Sequence, residues 1–175
     1  DQSAGFAPAD AGYVIDWWIG GDDRWYFPSK ETTIRQRRLG PGPVSETSMR
    51  IPSGDAVHRS YAVSSPKGSA TVIEVNNASP VPVALAIAIR PYALDGTPVG
   101  SQSVMLDGQS IMVDGSVAVS LPRRPNEAQA DAETDLFTRL VAGNALTGPT
   151  SANGANANLV VLYPLPHTAT PARQM

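Results

Sequence analysis

Cysteine is missing from the chain, and only two histidines occur, His58 and His167. The first absence removes disulfides, thiolate nucleophiles and cysteine-based zinc sites together. The second leaves little room for imidazole chemistry. Neither histidine has a partner at HxH or HxxxH spacing, so a structural or exposed role is expected for each, and no metal or other cofactor is expected. Positive charge is also scarce: 13 Lys and Arg stand against 16 Asp and Glu, for a net charge of −3. That balance gives no bulk electrostatic case for nucleic acid or an anionic membrane as partner. No apolar run reaches the ~20 residues of a bilayer-crossing helix, and no signal-like stretch stands near the N-terminus. The G-x-S-x-G elbow, the phosphate-cradling loop and the dinucleotide fingerprint are absent too. Lack of disulfides leans toward a reducing, cytoplasmic setting; a secreted or cell-surface location is the alternative.

What is present is punctuation. Fifteen glycines and 16 prolines are spread through 175 residues, dividing short apolar runs about every ten residues. This is the pattern of an all-β chain, an antiparallel and supersandwich-like β-sandwich forming a single domain over 1–175. Candidate strands cover 13–19, 24–27, 32–39, 45–51, 57–64, 69–76, 81–92, 102–106, 110–113, 117–121 and 159–163. Residues 1–23 are expected to form an N-terminal hairpin or lid. Residues 123–158 are expected to supply a linker, a short helix and a loop before the last strand. The helix is read from "AETDLFTRLVAG", residues 132–143, where Leu136, Leu140 and Val141 recur at helical spacing and Asp131 is a candidate cap.

The segment "VNNASPVPVALAIAIRPY" is the longest apolar stretch. Val81, Val83, Leu85, Ile87 and Ile89 alternate with Ala84, Ala86 and Ala88, so one face is branched and bulky and the other is a row of methyl groups. Either a second layer or a neighbouring domain covers the alanine face, or water does. The turn chemistry of "NNASP" predicts that residues 71–76 and 81–92 are adjacent antiparallel strands. It also explains Asn77 better than a glycosylation acceptor does. In "SVMLDGQSIMVDGSVAVSLP", a two-residue turn at Asp107 and Gly108 sets Val104 against Ile111. A three-residue loop, Asp114-Gly115-Ser116, then pairs Val113 with Val117 and Ile111 with Val119, with Gly115 left-handed.

Paired carboxylates would be needed for glycosidase chemistry. Asp16, Asp22, Asp23, Glu31, Glu46, Asp55 and Glu74 are available, but no catalytic pair can be named from spacing. Asp22 and Asp23 lie in a predicted hairpin turn, and Glu74 is expected to pair with Arg90 or Arg59. The binding or interface candidates are Trp17, Trp18, Trp25, Tyr26, Arg35 and Arg37, with Tyr13 and Arg38 close in sequence. Trp17 and Trp18 must face opposite ways in a strand, one into the core and the other exposed or covered by a partner. Rings beside arginines suit sugar stacking, a domain interface or simple hairpin packing.

The phrases "TTIRQRRLGPGPVSETSMRIPSGDAVHRSYAV", "VIEVNNASPVPVALAIAIRPY", "VMLDGQSIMVDGSVAVSLPRRP" and "LVVLYPLPHTAT" resemble an actinobacterial family of glycogen-debranching or glucoamylase-like proteins. Its members join an N-terminal β-sandwich to a six-hairpin (α/α) toroid. The resemblance runs over about residues 25–170 and rests on structural phrases rather than catalytic signatures. It implies a non-catalytic sandwich that supports a helical glycosidase-like domain of the same chain in carbohydrate metabolism, with an oligosaccharide as ligand of the shared cleft. The catalytic carboxylates would lie in the toroid, so the parent protein is the candidate glycoside hydrolase and this segment is not. A chain that starts at Asp1 without methionine and ends in "TATPARQM" fits a segment excised from such a protein. The alternative is a stand-alone carbohydrate- or protein-binding module.

Overall fold

The computed structural model describes residues 5–8, 11–66, 68–93, 96–98, 100 and 102–167. Strands dominate. In chain order they are β1 (Val14–Gly20), β2 (Trp25–Tyr26), β3 (Ile34–Leu39), β4 (Val44–Ile51), β5 (Gly54–Ser65), β6 (Gly68–Asn77), β7 (Val83–Arg90), β8 (Gln102–Asp107), β9 (Ser110–Val113), β10 (Ser116–Ser120), β11 (Glu127–Asp131), β12 (Ser151–Gly154) and β13 (Asn158–Leu165). One helix, α1 (Leu136–Val141), lies between β11 and β12. Three antiparallel sheets result: a central sheet in the order β11-β13-β7-β1-β2, a second in the order β3-β4-β5-β6, and a third in the order β10-β9-β8-β12. The chain is all-β and sandwich-like.

One face of the central sheet carries Ile15, Trp17, Ile19, Leu85, Ile89, Leu159, Val161 and Tyr163. These side chains join Met49, Ile51 and Ala56 of the second sheet and Val104, Ile111 and Val113 of the third in one buried cluster. The parity of β7 therefore holds, with the branched residues in the core. Its alanine face is also covered, and by this chain itself: Ala86 and Ala88 are buried with Trp18, Phe27, Leu136, Leu140, Leu146 and Val160. Of the N-terminal hairpin or lid expected over 1–23, residues 1–4 and 9–10 lie outside the described residues, and the rest contributes β1, which turns back at residues 21–24 to pair with β2. β1 lies between β7 and the short edge strand β2 of the central sheet, paired with β7 from Val14↔Arg90 to Gly20↔Ala84. Alternating Ile, Trp and Val on both faces suit a strand buried on both sides.

The predicted hairpin between residues 71–76 and 81–92 does not form. β6 pairs with β5, whereas β7 pairs with β1 and β13. The "NNASP" chemistry instead builds an arch from one sheet to another. Asn77 Oδ1 accepts from Ser79 N at 2.9 Å and from Ser79 Oγ at 2.7 Å, while Asn77 Nδ2 donates to Val81 O at 2.6 Å. Both side chains are buried, so the turn satisfies its own polar groups inside the molecule. Gly54 is required opposite it, because a Cβ there would come within 2.5 Å of Ser79 Cα.

The meander keeps the predicted face but alters the register. Val104 lies opposite Val113 and Leu106 opposite Ile111, so the turn is at Gly108 and Gln109. The next turn has two residues, Asp114 (φ 49°) and Gly115 (φ 77°), both left-handed. A bulge between Val117 and Val119 then restores Val119 to Ile111 and leaves Val117 exposed. The bulge lies within the strand rather than in the loop.

Two strands lie in segments whose composition reads as linker and loop. β11 pairs with β13, and β12 pairs with β8. Neither "EAQAD" nor "SANG" has a β-branched or aromatic residue, so pairing partners, not propensity, hold them in the sheets. α1 is shorter than expected and is capped by Asp135, whose Oδ1 accepts from Phe137 N at 3.0 Å. Asp131 Oδ1 caps the preceding turn instead, accepting from Glu133 N and Thr134 N.

Candidate functional site

The structure scatters the binding candidates expected from the sequence. Trp17 is in the core, its ring stacked on His58 at 5.2 Å and 14°. Burial holds the His58 imidazole down at about 4, so this histidine is a neutral packing group. His167 is exposed. Trp18, on the other side of the sheet, is covered by the chain's own Phe27 and Phe137, at 5.4 Å and 5.6 Å in edge geometry. Neither ring is open to a partner. Trp25 is partly buried against Gly20. Tyr26 is buried, donates to Asp23 at 2.7 Å, and lies under the Arg24 guanidinium at 3.9 Å.

The arginines occupy a different surface. Arg35, Arg37 and Arg38 are exposed on β3. Arg38 is turned back on its own hairpin, donating to the carbonyls of Gly42 and Pro41. Arg37 and Arg59 both engage Glu46, each Nε at 2.7 Å from a carboxylate oxygen. Burial pushes the Glu46 carboxyl up, but the bonds from Arg59 and Arg37 outweigh it and hold the group below its ordinary value. Glu74 is not the partner of Arg90 or Arg59. It lies on the edge strand opposite Arg59, is exposed, and accepts from Tyr61 Oη at 2.9 Å.

The remaining carboxylates are held one by one. Glu31 takes both arms of Arg24, Asp55 pairs with Arg50, and Asp16 pairs with Arg90; Asp22 is exposed. These contacts are structural, and they bring no two of the named carboxylates to bear on a common point. Among the described residues no cluster of His, Asp and Glu could hold a metal ion, and no helix is long and apolar enough to cross a membrane.

One polar cleft does assemble, around a residue the sequence marks only as the lone charge in an apolar strand. Arg90 ends β7 on the alanine side, with Asp16 Oδ2 at 3.4 Å from Nη1 and Asp135 Oδ2 at 3.4 Å from Nη2. Its guanidinium stands over Tyr92 at 5.1 Å and near Trp18 and Phe137, each at 5.9 Å. Arg90 Nε is buried without a hydrogen-bond partner. Burial raises the Asp16 carboxyl above its ordinary value, against the pull of Arg90. Pro91, Glu133, Asn156 and Asn158 complete a cleft of about 200 Å³. Asn158 is its post: Oδ1 accepts from Leu136 N, and Nδ2 donates to the carbonyls of Asp131, Thr134 and Asn156. No protein-family model, curated protein or solved structure matches the chain. The cleft combines hydrogen-bond donors, acceptors and one partly covered ring. The signals for it in the sequence are Arg90 itself and the repeated asparagines of "SANGANAN", which read as loop.

The second sheet offers the larger surface. Its inner face holds Met49, Thr47, Ala56 and His58. Its outer face carries the row Arg37–Glu46–Arg59–Glu74, and beside it the partly exposed pairs Leu39↔Val44 and Tyr61↔Val72. Val57 and Val63 extend the apolar part.

Proposed function

We propose that this β-sandwich is a non-catalytic supporting module that packs on a helical, glycosidase-like (α/α) domain of the same polypeptide and serves carbohydrate metabolism. The observation that carries this reading is the outer face of the β3–β6 sheet. A solvated antiparallel face alternates to polar residues; here Leu39, Val44, Val57, Tyr61, Val63 and Val72 share it with an organised ion-pair row. The Arg37–Glu46–Arg59 row crosses this face between Val57 and the Leu39, Val44, Tyr61 and Val72 side chains, and apolar side chains mixed with ordered charge are the composition of an interdomain surface. The Trp-rich strand and the alanine face are not open for such docking, because α1 and Phe27 cover them.

The test compares this domain alone with the same domain in a polypeptide that also carries the proposed helical domain. Amides around Val57, Tyr61 and Val72 should exchange more slowly in the longer chain; equal exchange in both removes the docking face. A second reading, a carbohydrate-binding module, is favoured by the Arg90 cleft with Tyr92 at its rim. Titration calorimetry with maltooligosaccharides decides that one. Heat that disappears in Tyr92→Ala supports it, and no heat at millimolar ligand ends it.

A further inference from the structure

Sheet edges expose unpaired backbone donors and acceptors, and folded chains blunt them with short strands, charges or bulges. Five of the six edges among the described residues follow that rule. β2 has two residues and β12 has four. β10 is interrupted by its bulge. β11 has five residues with Glu127 and Asp131 at its ends. β3 carries Arg35, Arg37 and Arg38 within six residues. β6 departs from the rule. It is 10 residues long, contains no proline, has Glu74 as its one charge, and pairs with β5 in unbroken register from Ala56↔Asn77 to Ser65↔Gly68. No strand pairs with its outer side among the described residues. Ser69, Ala70, Thr71, Glu74 and Asn76 are exposed, and the distal part of the β5–β6 hairpin runs past β4, whose pairing with β5 reaches no further than Ser60.

We propose that residues 69–76 of β6 form a pairing edge, and that its occupant is β6 of a second copy of this chain, antiparallel about a two-fold axis. The edge is made of directed N–H and C=O groups, so what satisfies it is the backbone of another strand. Side-chain parity limits a two-fold sheet to registers in which residues of like facing meet. Centred on Ile73, Ile73 meets Ile73, Thr71 meets Val75, and Val72 meets Glu74 of the second copy. Centred on Val72, Val72 meets itself and Ala70 meets Glu74. In both registers the strand's only charge falls opposite a small or branched apolar residue, never opposite its own copy, and every other pair is small, polar-neutral or β-branched. The β3 edge cannot do this, because Arg35, Arg37 and Arg38 would be drawn against another cationic edge. A two-fold pairing closes on itself, so the product is a dimer with one continuous eight-stranded sheet and not a fibre.

The test uses the 175-residue chain alone, so its result is independent of any neighbouring domain. Sedimentation from micromolar to millimolar protein, with hydrogen exchange at both limits, is expected to show monomer converting to dimer. Amides of 69–76 should gain protection with concentration while those of β3 do not. Thr71→Lys, on an exposed site, should weaken the dimer about tenfold or more in Kd. Ala70→Lys, on the opposite face, guards against a folding artefact of the first variant, and Arg35→Ser should leave association unchanged. A chain that stays monomeric at millimolar concentration overturns the proposal, whatever other strand the edge accepts. So does a dimer that forms without protection of 69–76, or an assembly that grows beyond two.

Discussion

The two sides of the central sheet are made by the same strands yet pack by different means. On the inner side, β1 and β7 present Ile15, Trp17, Ile19, Leu85 and Ile89 to residues from two further sheets. On the outer side they present Trp18, Ala86 and Ala88, and the cover is Phe27 with a six-residue helix. Large side chains interlock inside. Outside, a row of methyl groups leaves room for one large ring, Trp18, which packs edge-on to two phenylalanines. A thin apolar face is therefore not an unfinished surface waiting for another domain. Small residues on β7 are the complement of a bulky one on β1, since Trp18 lies directly opposite Ala86.

Substitutions on the two sides should differ in size and in reach. Ile89→Ala removes a fully buried side chain from the inner cluster and should cost ~2–5 kcal/mol. Urea denaturation at neutral pH measures it, with the whole chain losing stability in one transition. A loss below about 1 kcal/mol would mean that the inner side is no tighter than the outer one.

His58 gives the inner side a pH dependence. Burial lowers its pKa from the ordinary 6.5 to about 4 in the folded chain, so between those values the unfolded chain binds the proton first. Stability is then full above about pH 6.5 and declines as pH falls toward 4, by ~3 kcal/mol if no other group changed. Denaturation midpoints at pH 7 and pH 4.5, for the native chain and for His58→Phe, isolate the effect from the carboxylates. A His58→Phe slope as steep as the native one would show that acid acts elsewhere.

The same contrast explains what can be read from the sequence. Period-two alternation in "VALAIAI" tells which residues face the core, because parity is a local property that any sheet partner preserves. It cannot tell which strands pair. "NNASP" has the residues of a hairpin turn, but Asn77 and Ser79 direct their hydrogen bonds to Val81 and carry the chain between sheets. Adjacency in a strand is enough to turn Trp18 away from Trp17; that one of its two covering rings, Phe137, lies more than a hundred residues away has no signature in sequence spacing. β11 and β12 escape a reading of composition for a related reason, since "EAQAD" and "SANG" are strands by virtue of β13 and β8. At the cleft, Arg90 is visible as an isolated charge, but Asp16 and Asp135 are joined to it only by the β1–β7 pairing and the helix cap.

Overfilling the outer side tests whether its cover is a separate, weaker layer. Ala88 is fully buried between Asp16 of β1 and Val160 of β13. Ala88→Leu should cost ~1–3 kcal/mol, and the loss should be local. Hydrogen exchange in Leu136–Val141 is expected to accelerate while the amides of β7 keep their protection. Equal acceleration in β7 would mean that the two sides unfold as one unit and that they differ in geometry only.

The smallest effect separates the helix from the charge beneath it. Asp135 caps α1 through Phe137 N and also faces Arg90 at 3.4 Å. Asp135→Ala should cost ~1 kcal/mol from the lost cap and shift the emission of Trp18 as the cover loosens. Asp135→Asn keeps an N-cap acceptor and removes the charge. If capping is what holds the outer layer down, Asn recovers most of the stability and the native emission. If it recovers neither, the layer is held by the Arg90 ion pairs, and the cleft and the cover of the alanine face are one structure rather than two.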